Sequence, residues 1–166
     1  KYSLDCSSIC GIYSMDRDLS SSNHEIRYHA VRYVKACIDI AAQLGAGIVI
    51  VVPSPVGKGG PDSTYEEAWE LAVASLQDVG TYAESKNIVV VIEALNRFET
   101  YLVNRLDTAK QLVQEVNRSH VRIMADLFHM NIEERSNREA LRSIAPYLSH
   151  VHIADNTREA AGLGQI

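Results

Sequence analysis

The chain has 166 residues, of which 46% are hydrophobic and 22% charged, and its formal net charge is −5. That is ordinary globular composition, enough for a single domain over residues 1–166 with one core. No Lys/Arg block occurs to grip a phosphate backbone, no apolar run reaches transmembrane length and no signal peptide opens the chain, so neither nucleic acid nor membrane is expected as a partner. Strand and helix signals then alternate from end to end. A first strand is predicted over roughly Tyr2 to Cys10. A helix follows over about Asn23 to Leu44, where Ile26, Ala30, Val34, Cys37, Ile38 and Ala41 recur at helical spacing and Gly45 stands at the C-cap. The second strand, Ile48 to Val52, is stopped by Pro53. The loop from Pro53 to Asp62 holds three glycines and three prolines and reads as a mobile loop. A capping box at Ser63–Glu66 opens a helix that runs to about Lys86. Then come a strand at Ile88–Ile92, a helix from about Asp107 to Val116, a strand at Val121–Ala125, a short helix opened by Ser136–Glu139 and closed by Pro146, and a strand at His150–Ala154.

Strand starts fall about one βα unit apart. Five such units suit an open doubly wound sheet or part of a (β/α)8 barrel. A complete barrel needs about 250 residues. The first residue is Lys and the chain stops just after a Gly-rich turn, so both ends read as cut. Three cysteines, Cys6, Cys10 and Cys37, have no zinc spacing and read as reduced thiols, which fits a cytoplasmic protein.

Three of the hydrophobic runs deliver a metal-binding side chain at or near their C-terminal ends: Glu93 after the third strand, Asp126 after the fourth, and His152 in the fifth. In a barrel of parallel strands these ends share one face, where chemistry sits. A lone acid after a strand reads as a solvated loop carboxylate. A second acid in the equivalent place of the next unit makes a common site the better reading. Two carboxylates and an imidazole suit Mn²⁺, Mg²⁺, Co²⁺ or Zn²⁺. His129, three residues past Asp126, is placed in the βα loop, where it can hold a substrate oxygen. His150 lies two residues deeper than His152 and reads as an interior histidine. Glu99 reads as half of a loop ion pair with Arg97, and Arg158 as a cation able to clamp hydroxyl or phosphate oxygens. The stretch Gly57–Gly60, with Lys58 among its glycines, lacks the spacing of a phosphate-binding loop.

The stretches 93–104 (Glu-Ala-Leu-Asn-Arg-Phe-Glu-Thr-Tyr-Leu-Val-Asn), 126–134 (Asp-Leu-Phe-His-Met-Asn-Ile-Glu-Glu) and 150–158 (His-Val-His-Ile-Ala-Asp-Asn-Thr-Arg) strongly resemble the ketose 3-epimerases, the D-tagatose and D-psicose 3-epimerase group of the xylose isomerase-like TIM-barrel superfamily. The resemblance implies an α/β fold, a partial (β/α)8 TIM barrel in which this chain supplies about strands 3 to 7 with their outer helices. It implies metal-dependent C3 epimerisation of a ketose through an enediolate, with Mn²⁺ as the first expectation for the ion. Glu93, Asp126 and His152 would be three of four metal ligands, the fourth being a glutamate on strand eight beyond Ile166. Glu93 would be a catalytic base, and Glu99, His129 and Arg158 would grip the sugar near its carbonyl end. Without the fourth ligand the segment is expected to be impaired. Two alternatives accompany this expectation: another sugar or sugar-phosphate isomerase or epimerase of the superfamily, and a non-catalytic partial barrel. Open strand edges lead one to expect association into homo-oligomers.

Overall fold

The computed structural model describes residues 3–165 of the chain. Five strands, β1 (Ser8–Cys10), β2 (Ile48–Val51), β3 (Val89–Glu93), β4 (Val121–Asp126) and β5 (Leu148–His152), pair in parallel in the order in which they occur. A doubly wound sheet would reverse its strand order at a switch point. The sequential order is that of consecutive barrel strands, so the molecule is a curled partial barrel. The helices α1 (His24–Leu44), α2 (Tyr65–Lys86), α3 (Leu106–Val116), α4 (Leu127–Glu133) and α5 (Asn137–Ile144) connect the strands.

Strand alternation sorts the side chains onto two faces. Val49, Val51, Val90, Ile92, Val121, Ile123 and Ala125 face the helices and merge with Ala30, Val34, Ile38, Ala72, Leu76, Leu112 and Val113 in the main core. Burial of each Val, Leu or Ile side chain among them contributes roughly 1.5–3 kcal/mol. The opposite, concave face has a small apolar floor of Ile50, Val91 and Met124, each at most 1% exposed. Above that floor stand the polar residues at the strand ends.

The helix ends follow local chemistry. Gly45 closes α1 in the left-handed conformation (φ 71°), as expected for a C-cap glycine. The cap of α2 is Thr64, one residue later than expected; its hydroxyl accepts from the Glu67 N–H, because Thr64–Glu67 is a second, overlapping capping box. The N-cap of α3, Arg105, offers no side-chain acceptor, and the Glu134 carboxylate takes the Leu106 N–H instead, at 2.8 Å. Ser136 caps α5 as expected.

Three elements depart from expectation by more than one residue. The first strand covers only Ser8–Cys10, and the predicted start at Tyr2 lies outside the described residues. The fifth strand begins two residues early: a register irregularity at Ile123/Met124 pairs Ile123 with Leu148 and Met124 with His150, and drops Ser149 from the ladder. The segment read as a loop around His129 is a helix, α4, because Asp126 ends β4 and caps the next turn at once, accepting from the Phe128 and His129 N–H groups at 2.8 and 3.3 Å.

Candidate metal and sugar site

The parallel register fixes where each strand-end group stands. Glu93 is level with Met124 and Met124 with His150, while Asp126 is level with His152, one inward-facing step further along the barrel axis. The Glu93 side chain nevertheless reaches up to His152. Its Oε1 lies 3.8 Å from His152 Nδ1, and Asp126 Oδ2 lies 3.5 Å from the same nitrogen. The two oxygens of Asp126 divide their work: Oδ1 caps α4, and Oδ2 faces the imidazole. Glu93, Asp126 and His152 therefore meet at the C-terminal ends of three adjacent strands.

His129 enters the same space from the first turn of α4. Ligand atoms of Glu93, Asp126 and His129 all lie within 4.8 Å of one another. Two histidines thus approach one pair of acids, and they differ in what else they touch. His129 is only 4% exposed, and its Nδ1 is met by the Asn96 backbone N–H at 3.2 Å and by Asn96 Nδ2 at 2.9 Å. His152 is more open, with 38% of its side chain exposed. Its ring packs edge-on against that of His150 at 5.1 Å, which fills the step below.

Glu99 pairs with Arg158 and not with Arg97. Arg158 Nη2 donates to Glu99 Oε1 at 2.6 Å, and Asn96 Nδ2 donates to the same oxygen at 3.0 Å. The expected partner, Arg97, turns the other way and forms a forked pair with Glu133 at the end of α4, where its backbone N–H also donates. Glu133 is buried, so it captures the guanidinium that sequence proximity would have assigned to Glu99. The Arg158 guanidinium lies 3.9 Å over the Phe128 ring, and the residue adopts φ 60° in a turn closed by its N–H on the Asp155 carbonyl. Asp155, 1% exposed, holds that turn by accepting from the Asn156 and Gly162 N–H groups.

The loop expected to be mobile is tied down. Lys58 bonds to Asp18 at 2.7 Å and to Asp62 at 2.8 Å, and the Gly57 N–H donates to the Glu99 carbonyl at 2.7 Å. Lys58 is thereby committed to carboxylates, in keeping with its loop lacking phosphate-loop spacing.

The electrostatics follow from burial and like charge. Burial first, then the neighbouring Asp126 and Glu99 carboxylates, push Glu93 from 4.5 up to about 7, with Arg158 opposing. Burial pushes His129 down from its ordinary value, against the pull of Asp126 and Glu99. Two acids packed together with nitrogen donors, one of them reluctant to carry its charge, form a donor set that a divalent cation relieves.

Asn96 is the residue of this site that sequence reasoning missed. It is 2% exposed and touches His129, Glu99 and the Phe98 N–H at once. Its only signal in the sequence is an amide between two candidate acids.

Comparisons with known proteins identify the family and the fold. The family model for the xylose isomerase-like TIM barrel matches residues 1–165. The chain is 40% identical over 98 residues to a D-psicose 3-epimerase of Ruminiclostridium cellulolyticum, covering 59% of this chain and 33% of that protein. It is 31% identical over 170 residues to a 3-dehydro-D-guloside 4-epimerase of Escherichia coli, covering 98% of this chain and 64% of that one. The crystal structure of D-psicose 3-epimerase with D-tagatose from Clostridium cellulolyticum H10 superposes with a TM-score of 0.88 at 30% identity, covering 96% of this chain and 56% of that one. An E. coli 3-keto-D-glucoside 4-epimerase in apo form superposes with a TM-score of 0.90 at 28% identity, over 98% of this chain and 64% of that one. The matched part is thus between about a third and two thirds of each of these relatives' length.

Proposed function

The chain belongs to the xylose isomerase-like TIM barrel family, and from that premise we propose that it carries the ion-holding and base-bearing part of a metal-dependent sugar epimerase acting at C3 of a free ketose. The observation that carries this reading is the convergence of Glu93 and Asp126 on His152 Nδ1 at 3.8 and 3.5 Å. These three residues would hold the ion; two carboxylates and one imidazole suit Mn²⁺, Co²⁺, Mg²⁺ or Zn²⁺, and the family resemblance puts Mn²⁺ first. When bound, a divalent cation supplies Lewis-acid polarisation of the ketone and stabilises the charge of the enediolate.

Glu93 takes the C3 proton, and the electron pair of that C–H bond moves toward the C2 carbonyl to give the enediolate. In the metal-free chain burial and the neighbouring acids hold Glu93 at about 7, and a bound cation would draw it toward the ionised form that a base needs. The Glu93 Oε1 faces His152, which leaves Oε2 to receive the proton. Inversion needs a second acid on the other face of the sugar, and the family resemblance places that group on an eighth strand. His129, Arg158 and Glu99 line the same mouth and hold the substrate oxygens in register. The sugar is the partner this geometry suits. The open edges at β1 and β5 of the partial barrel suit association of this 166-residue chain into homo-oligomers. No helix among the described residues is long and apolar enough to cross a membrane. We assign the protein to the cytoplasm on its three free thiols.

A second reading has a specific observation behind it. The 3-dehydro-D-guloside 4-epimerase aligns over 98% of this chain, which favours epimerisation beside a ketone at C3 of a keto-glycoside. The same base and ion serve either reaction, and only the carbon presented to Glu93 differs. The test is turnover by protein carrying the whole barrel, with Mn²⁺, on D-tagatose, D-psicose, L-ribulose and a 3-keto-glucoside. Ion-dependent epimerisation of a free ketose supports the first reading. Turnover of the 3-keto-glucoside alone supports the second, and full turnover after chelation contradicts both.

A further inference from the structure

We propose that Asn96 is a positioning residue that sets the tautomer of His129, placing its one ring proton on Nε2 so that this histidine donates to substrate and takes no part in ion binding. The last clause rests on the ion site proposed above; the tautomer itself does not. Two donors converge on His129 Nδ1: the Asn96 backbone N–H at 3.2 Å and Asn96 Nδ2 at 2.9 Å. A backbone N–H cannot accept, so Nδ1 must present its lone pair. The side-chain amide cannot be turned round. Its Nδ2 also donates to the Glu99 carboxylate at 3.0 Å, and its Oδ1 accepts from the Phe98 N–H at 3.0 Å. A flipped amide would set an oxygen against a carboxylate and an NH₂ against an N–H. Asn96 and His129 are 2% and 4% exposed, so both contacts are shielded from bulk water.

With Nδ1 unprotonated and engaged, the ring proton resides on Nε2. A metal ligand needs a free lone pair on nitrogen. His129 has none left, although it stands as near to Glu93 and Asp126 as a ligand would. His152 has no such second donor among its described contacts, and its Nδ1 faces both acids. One buried amide therefore divides the two histidines between ion and substrate. Through Glu99 Oε1 the same amide also reaches Arg158, so it aligns three groups at the mouth of the barrel.

The test is nitrogen NMR of the [15N]histidine-labelled 166-residue chain at pH 8, without metal and then with Zn²⁺. In the metal-free wild type, His129 is expected to show an unprotonated Nδ1 and a protonated Nε2. In Asn96→Asp the backbone N–H still donates to Nδ1 while the new carboxylate lacks a donor, so a measurable share of the ring proton is expected to move to Nδ1. On adding Zn²⁺, the His152 ring signals are expected to shift to a ligated form while His129 keeps its Nε2 proton. A wild-type spectrum with the proton on Nδ1 overturns the proposal, and this readout does not depend on the variant folding. A folded Asn96→Asp chain with a wholly wild-type tautomer overturns the role of the Asn96 side chain. Loss of the Nε2 proton with Zn²⁺ overturns the division of roles. If Zn²⁺ moves neither ring, the ion site proposed above is wrong, while the metal-free spectra have already decided the tautomer.

Discussion

The two flanks of the site are built differently. The β3–β4 flank is locked: Glu93, Asn96 and His129 are each at most 7% exposed, Asp126 doubles as a helix cap, and the buried Glu133 is held by the Arg97 fork. The β5 flank is open. His152 and Arg158 have 38% and 56% of their side chains exposed, and the outward residues Val151 and Ile153 are 39% and 64% exposed. The difference is one of neighbours. Strands β3 and β4 have a strand on each side and helices behind them, whereas β5 is an edge of the described sheet. The proposed base and one proposed ion ligand therefore stand on packed elements. In this 166-residue chain the proposed imidazole ligand and Arg158 lie beside an edge that the eighth strand expected from the family resemblance would cover.

The sharpest way to test the locked flank is to remove its base. In protein carrying the whole barrel, Glu93→Gln is expected to lower turnover by about 10²–10⁴-fold while keeping part of the Mn²⁺ affinity. Undiminished turnover would reject Glu93 as the base. The next effect is on stability. The folded pKa of Glu93, about 7, lies above its ordinary 4.5, so the folded chain binds the extra proton between these values. The stabilisation contributed by the Glu93 proton is then fully present below about pH 4.5 and lost as pH rises through 7, about 3 kcal/mol in the metal-free chain. Denaturant melts of wild type and Glu93→Gln across that window should show this slope only in the wild type, and saturating Mn²⁺ should flatten it. A smaller effect is expected for Arg97→Met, which leaves the buried Glu133 carboxylate without its fork. A loss of about 1–3 kcal/mol in denaturant melts is predicted, and no loss would show that the pair does not brace the flank. The smallest stability effect belongs to the open flank. Arg158→Lys should change stability by less than about 1 kcal/mol yet raise KM for the sugar. A stability loss as large as that of Arg97→Met would erase the contrast between the two flanks.

How much of this could be read from the chain follows the same division. Glu93 and Asp126 were legible because each ends a β-branched run, and a parallel barrel brings such ends to one face. The alternation of strands and helices, the Gly45 cap and the Ser136 cap are local patterns and were equally readable. Helix α4 was not, because Asp126 serves as both the last strand residue and the helix cap, leaving no loop to mark the change. The pairing of Glu99 was misassigned because nearness in sequence favours Arg97, whereas the buried Glu133, more than thirty residues away, has the greater need of a partner. The role of Asn96 depends on three contacts made only in the folded chain, and no spacing rule announces it. The omission of Ser149 from the β4–β5 ladder is likewise a property of two strands together.

The central claim is that Glu93, Asp126 and His152 hold one divalent ion and that His129 does not. It is tested most directly by counting Mn²⁺ bound to the wild type, His152→Ala and His129→Ala by electron paramagnetic resonance. One ion per chain is predicted for the wild type. Its affinity should fall by at least the roughly 10–100-fold that loss of a supporting contact costs in His152→Ala, and stay unchanged in His129→Ala. Binding that survives His152→Ala and is lost in His129→Ala would contradict the account.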